Sequence, residues 1–167
     1  MTFKMIIATA LLSATALPSV AADWSGYVSA TSDYRWRGQS LSAGKAAIQA
    51  GVDGAFDNGV FVGAWATNLD YGGDGNIEVD FWLGCGGELT NEMSYSAMVI
   101  TYQYPGSDDV AGFAELILGL SAYGVDFSYY YTNDMAGFSE TSHYVAAGYS
   151  YPINDDYTLN FHIGHDW

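Results

Sequence analysis

Between Asn76 and Cys85 the chain alternates: Ile77, Val79, Phe81, Leu83 and Cys85 fall on one side, Asn76, Glu78, Asp80 and Gly84 on the other. Side chains of a strand point to opposite faces with period two, so this run reads as a strand with one apolar and one polar face. Similar two-faced runs of about 10 residues recur along the rest of the chain with no helical stretch between them. That is the pattern of a transmembrane β-barrel, whose strands turn alternate side chains to lipid and to the lumen. The expected fold is all-β, an antiparallel up-and-down transmembrane β-barrel, and the expected location is a bacterial outer membrane.

Residues 1–22 are organised as a secretory signal. Lys4 precedes an apolar run from Met5 to Leu12 that continues through Ala14 and Ala16, then come Pro18, Ser19, Ala21 and Ala22, with cleavage expected after Ala21 or Ala22. The run is shorter than the roughly 18 apolar residues a spanning helix needs. Residues 23–167 then form one barrel domain. Aromatic residues make up 16% of the chain, and Tyr and Trp, each with an apolar and a polar end, suit the two bilayer interfaces.

The net charge is -15, and once Lys4 is removed only Arg35, Arg37 and Lys45 are positive. A polyanion would be repelled, which excludes nucleic acid as a partner. The acids are spread through strands and loops, so they belong to the folded surface or the lumen rather than to a disordered tail. Cys85 is the single cysteine and lies on an apolar face, so it reads as a small hydrophobe against lipid rather than a redox or metal group.

The alternation places strands at about 24 to 37, 46 to 56, 60 to 70, 76 to 85, 93 to 104, 113 to 122, 125 to 132, 141 to 151 and 157 to 166. In the first, Val28, Ala30, Tyr34 and Trp36 oppose Ser29, Thr31, Asp33, Arg35 and Arg37. Long or Gly-rich loops follow odd strands, from Gly38 to Lys45, Tyr71 to Gly75, Pro105 to Gly112 and Asn133 to Glu140. Shorter connections follow even strands, at Asp57-Asn58-Gly59, Gly86 to Glu92, Tyr123-Gly124 and Pro152 to Asp156. Short turns of such barrels face the periplasm and long loops the exterior. Bacterial single-chain barrels have even strand counts, and the ninth pattern runs to the last residue, so the expectation is a barrel incomplete at its C-terminal side.

The residues Thr31-Ser32-Asp33-Tyr34-Arg35-Trp36-Arg37-Gly38-Gln39-Ser40, Gly59-Val60-Phe61-Val62-Gly63-Ala64-Trp65, Glu78-Val79-Asp80, Tyr104-Pro105-Gly106, Tyr130-Tyr131-Thr132-Asn133-Asp134 and Ala147-Gly148-Tyr149-Ser150-Tyr151-Pro152 resemble the TorF family of porins of proteobacterial outer membranes. The resemblance covers essentially the whole mature chain. It implies a pore-forming barrel with further strands at the C-terminal side, and it carries no catalytic residues.

Charges facing lipid at mid-depth are expensive, so the face bearing Asp33, Arg35 and Arg37 is expected to point into the barrel. There the arginines would pair with Asp53, Glu78 or Asp80 on neighbouring strands. With Glu115 and Asp126 these residues are the candidates for the lumen and its selectivity, and the surplus of acids favours cations. The loop Asp70-Tyr71-Gly72-Gly73-Asp74-Gly75-Asn76 carries oxygen ligands between glycines but not at EF-hand spacing, so an acidic surface loop is expected rather than a calcium site. His143, His162 and His165 raise a serine hydrolase as an alternative, yet no serine has a nucleophile-elbow context.

The function expected from these residues is passive diffusion of small hydrophilic solutes or cations through an outer-membrane porin in contact with membrane lipid. No cofactor, metal or reaction is expected. The alternatives are a non-conducting barrel acting as adhesin or envelope scaffold, and an outer-membrane hydrolase; a secreted β-sandwich would need a more polar outer face.

Overall fold

The computed structural model describes residues 22–167, so the signal-peptide reading lies outside the described residues except for Ala22. The elements are β1 (Ala22–Thr31), β2 (Arg35–Trp36), β3 (Gln39–Ser40), β4 (Ala47–Phe56), β5 (Val60–Asn68), β6 (Ile77–Thr90), β7 (Met93–Gln103), β8 (Phe113–Ala122), β9 (Val125–Thr132), β10 (Ser142–Pro152) and β11 (Thr158–Asp166). One 3-10 turn, Met135–Gly137, lies between β9 and β10. No helix among the described residues is long and apolar enough to cross a membrane, which leaves open a crossing by strands.

Among the described residues, nine of the strands form one antiparallel meander in the order β1-β4-β5-β6-β7-β8-β9-β10-β11, while β2 and β3 pair only with each other. The fold is thus all-β and up-and-down, as the alternation requires. The sheet is open: β1 and β11 are its two edges.

The outer face is apolar and uncovered. Val28, Phe81, Leu83, Val99, Leu118, Phe127 and Ile163 are all exposed on it. Register carries this face across the sheet, for example Cys85 to Ala97, Leu118, Tyr129, Val145 and His165. The inner face holds the core, where Ile100, Tyr102, Phe113 and Ile117 pack with Trp36, Trp82, Met98 and Tyr130 around them. Large rings there lie over glycines of the next strand. A Cβ at Gly51 would come within 2.7 Å of the Tyr27 ring, and one at Gly63 would overlap the Trp82 indole. Gly in a strand marks such close approach.

Long loops gather at one end of the sheet and short turns at the other. At the short end, Tyr123 and Gly124 have φ of 53° and 82°, the two successive positive angles of a tight hairpin turn. The stretch from Gly86 to Glu92, expected as a loop, is instead strand: β6 runs to Thr90, pairs with β7 across a bulge between Glu88 and Thr90, and turns tightly. Its glycines allow close approach of β7 without interrupting the ladder.

The first strand departs most from expectation. β1 ends at Thr31 rather than continuing to 37, and Asp33 to Lys45 leave the sheet to lie over its inner face. Tyr34 and Trp36, expected to face lipid, face inward and pack against Trp65 and Tyr102 respectively. Alternation continues through the small hairpin because its arms are also extended, which is why periodicity misses the departure.

Candidate functional site

The segment between β1 and β4 holds all three positive charges that follow Lys4. Within it, Arg37 and Gly38 have φ of 47° and 84°, the pair of positive angles that lets a two-residue turn join β2 to β3. Gly38 tolerates this conformation without a Cβ clash. The hairpin is tied at its foot by Leu41 N–H to Tyr34 O at 2.8 Å and by Tyr34 N–H to Ser42 Oγ at 2.8 Å. The Asp70 N–H donates to Leu41 O at 2.8 Å, and Lys45 pairs with the Asp70 carboxylate. Asp33 accepts from Ser40 Oγ at 2.5 Å and pairs with Arg35 at 2.6 Å. The Ser40 hydroxyl above all, helped by that of Ser42 and the Arg35 charge, holds the Asp33 carboxyl below its usual range against a cost of burial.

The tip of the hairpin reaches across the sheet. Arg37 Nη2 lies 2.7 and 2.9 Å from the two carboxylate oxygens of Glu115 on β8. The side chains are 6% and 0% exposed respectively, which makes this a desolvated ion pair. Tyr102 OH donates to Glu115 Oε2 at 2.9 Å. The guanidinium carbon lies 4.2, 5.0 and 4.5 Å from the ring centres of Trp36, Tyr130 and Tyr144, within reach of cation–π attraction. One carboxylate, one phenol and three rings therefore enclose one planar cation.

Beside this cage lies a second acidic strip. Glu78 and Asp80 on β6 are 1% and 5% exposed, and their Oε2 and Oδ1 atoms have no hydrogen-bond partner among the described residues. Tyr34 OH donates to Glu78 Oε1 at a long 3.4 Å, so the hairpin also roofs this strip. At the long-loop end, Asp74 accepts from Asp108 N–H at 2.9 Å and from Ser107 Oγ at 3.0 Å. The Asp108 amide first, then the Ser107 hydroxyl, lower the Asp74 carboxyl against a cost of burial. This carboxylate joins two loops, and among the described residues no group of three or more His, Cys, Asp or Glu side chains is placed to hold a metal ion.

The expected site residues divide accordingly. Arg37 and Glu115 come together, as does Glu78 with Tyr34, whereas the expected partners of Arg37, namely Asp53, Glu78 and Asp80, do not reach it. Arg35 is exposed and pairs locally with Asp33. Asp53 is half-buried on the inner face, on the register row that runs through Gly63, Trp82 and Ile100 to Glu115. Asp126 is exposed near the short-turn end, where Ser121 donates to it. Sequence reasoning missed Tyr102, Tyr130 and Tyr144 as parts of the cage. The available signal was the concentration of every Lys and Arg after Lys4, with Tyr34 and Trp36, in one segment of an acidic chain.

Two of the three histidines are held by tyrosines. His143 Nδ1 lies 2.8 Å from Tyr129 OH on the outer face, and His162 Nε2 lies 3.0 Å from Tyr144 OH on the inner one. No curated protein and no solved structure matches the chain. Residues 15–166 do match one family model, and the chain belongs to that family, described as "Bacterial protein of unknown function (Gcw_chp)".

Proposed function

We propose that the sheet is the wall of an outer-membrane β-barrel that lets small hydrophilic solutes pass by diffusion, prefers cations, and is narrowed by the β2–β3 hairpin. The observation that carries this reading is the contrast between the two faces. The outer face exposes an apolar band from Val28 on β1 to Ile163 on β11, while the inner face buries Glu78, Asp80 and Glu115. A soluble sheet would leave that band in water, whereas lipid covers it. Within lipid an unpaired strand edge is untenable, so both β1 and β11 are paired there. The resemblance to the TorF porins supports the same reading.

Arg37 neutralises Glu115, and Arg35 and Lys45 each meet one acid of their own. Glu78 and Asp80 are left without a cationic partner among the described residues. A lumen lined this way concentrates cations and repels anions. The test is fractionation of cells followed by reversal potentials of the detergent-extracted protein across planar bilayers under a salt gradient. Cation preference is expected, with a larger loss from joint Glu78→Gln and Asp80→Asn than from joint Asp108→Asn and Asp109→Asn. Recovery of a monodisperse protein without detergent would remove the membrane reading, and equal effects of the two pairs would move selectivity to the loops.

One observation favours a second reading, a non-conducting barrel that serves as an envelope scaffold. The hairpin brings Trp36 against the inner-face core, so it fills space a solute would need. Absence of conductance from bilayers that demonstrably contain the protein would select this reading.

A further inference from the structure

Arg37 is enclosed mainly by groups of other strands. Four of the groups that hold it belong to the wall rather than to the hairpin: Glu115 and Tyr102 through the carboxylate and its hydrogen bond, Tyr130 and Tyr144 through their rings. We propose that these four residues form a binding site for guanidinium-bearing solutes, filled by Arg37 in the present conformation and offered to the lumen when the hairpin lifts. The proposal deepens the porin reading and rests on it, because only as a lumen wall does the inner face meet solutes.

Three properties select a guanidinium over other cations. The carboxylate is fully buried and both of its oxygens accept from one Nη atom, a charge-assisted contact made out of water, where a strongly hydrated ion loses more solvation than a guanidinium does. The cation carbon lies 5.0 and 4.5 Å from the two wall rings, which suits a flat, weakly hydrated group better than an ammonium. The group that occupies the cage is itself a guanidinium. The adjoining Glu78 and Asp80, with buried oxygens left unpartnered, provide acceptors for a second cationic group on a longer solute.

The hairpin has the construction needed to exchange with such a solute. Trp36, the third ring around Arg37, sits beside it in β2 and departs with it. The Tyr34 hydrogen bond to Glu78 is long. Tethered Arg37 competes at an effective concentration of order mM, so a free guanidinium ion competes weakly in the wild type and binds more readily once the arginine is removed.

The experiment is chemical rescue in the full-length protein, purified in detergent. Methylguanidinium is titrated into Arg37→Ala, with intrinsic tryptophan fluorescence and trypsin cleavage at Arg35 and Lys45 as readouts; sodium chloride at equal ionic strength and methylammonium serve as comparisons. Methylguanidinium is expected to protect the hairpin of Arg37→Ala and shift its emission, with an affinity about tenfold or more above that of the Arg37→Ala, Glu115→Gln double variant. Methylammonium should act more weakly and sodium not at all. Arg37→Lys, which keeps a cation of poorer fit, supplies the same titration if the alanine variant does not fold.

An unresponsive Arg37→Ala, an equal response of the double variant, or an equal response to sodium overturns the proposal. Conductance is recorded separately on the same preparations. Guanidinium binding without conductance would retire the pore and leave the site, whereas cation-selective conductance without binding would do the reverse.

Discussion

Replacing Glu115 by Gln tests whether the hairpin is held by the buried ion pair. The substitution preserves the volume and one acceptor oxygen but leaves Arg37, 6% exposed, as a desolvated charge without a counterion. Removing one partner of such a pair costs about 3–5 kcal/mol. The three ring contacts of Arg37 survive at about 0.5–2 kcal/mol each, so the guanidinium is not wholly abandoned. The hairpin can also lift and hydrate the charge, which limits the loss to its own docking energy, including about 1.5–3 kcal/mol for a large apolar side chain such as Trp36. A loss of about 3 kcal/mol in docking follows from the lower end of the first range.

Trypsin reads this loss directly, because beyond the expected signal Arg35, Arg37 and Lys45 are the only residues it can cut after, and all lie in this segment. Where opening is fast relative to cleavage, the rate follows the open population, so about 3 kcal/mol corresponds to roughly a hundredfold faster cleavage. Replacing both partners by apolar residues, Arg37→Met with Glu115→Leu, should return docking to within about 1 kcal/mol of the wild type, since a buried pair often exchanges for packing at little net cost. Cleavage is then compared at Arg35 and Lys45. Wild-type cleavage in Glu115→Gln, or a double variant as labile as the single one, would refute the assignment of docking to this pair.

Three further outcomes are expected. Arg at Phe81 or Leu118, both exposed on the outer face, should cost about 2–4 kcal/mol in lipid if the band lies at mid-depth, and Arg at Ser121 less, as measured by urea unfolding from vesicles; equal costs would contradict the membrane orientation. Gly63→Val places a branched side chain against the Trp82 indole and should cost about 1–3 kcal/mol by overpacking, whereas an unchanged unfolding midpoint would show that the indole moves freely. The Asp74 carboxyl lies below its ordinary 3.8 in the folded chain, so its contribution is present above about pH 4 and is lost as pH falls through the lowered folded value. Hydrogen exchange at the Asp108 amide should accelerate over that acid range relative to Asp74→Asn, and identical profiles would argue against this loop contact.

The strands were legible where burial of one face forces strict alternation. Phe113 to Ala122 and Val125 to Thr132 read from sequence with the bounds the structure shows, because Leu116, Leu118 and Leu120 leave one register for the apolar face. The turn at Tyr123-Gly124 was legible for a related reason: few residues can supply two successive positive φ angles, and a glycine in a short gap between alternating runs marks the place. Cross-strand pairing between successive runs then followed from short connections.

What lies farther apart was not legible. Period two is common to a strand in a sheet and to the arms of a small hairpin, so Tyr34 and Trp36 could not show that the chain leaves the sheet after Thr31. Nor could the positive charge of Arg37 name its partner. Glu115 lies 78 residues away, and the choice among Asp53, Glu78, Asp80 and Glu115 depends on the turn geometry at Arg37-Gly38 together with the four successive strand registers between β4 and β8. Local chemistry determined the two faces, the excess of acid and the presence of a cationic, aromatic segment. Tertiary structure decided where that segment docks, because docking sums many registers and one backbone turn, and no residue type carries that sum.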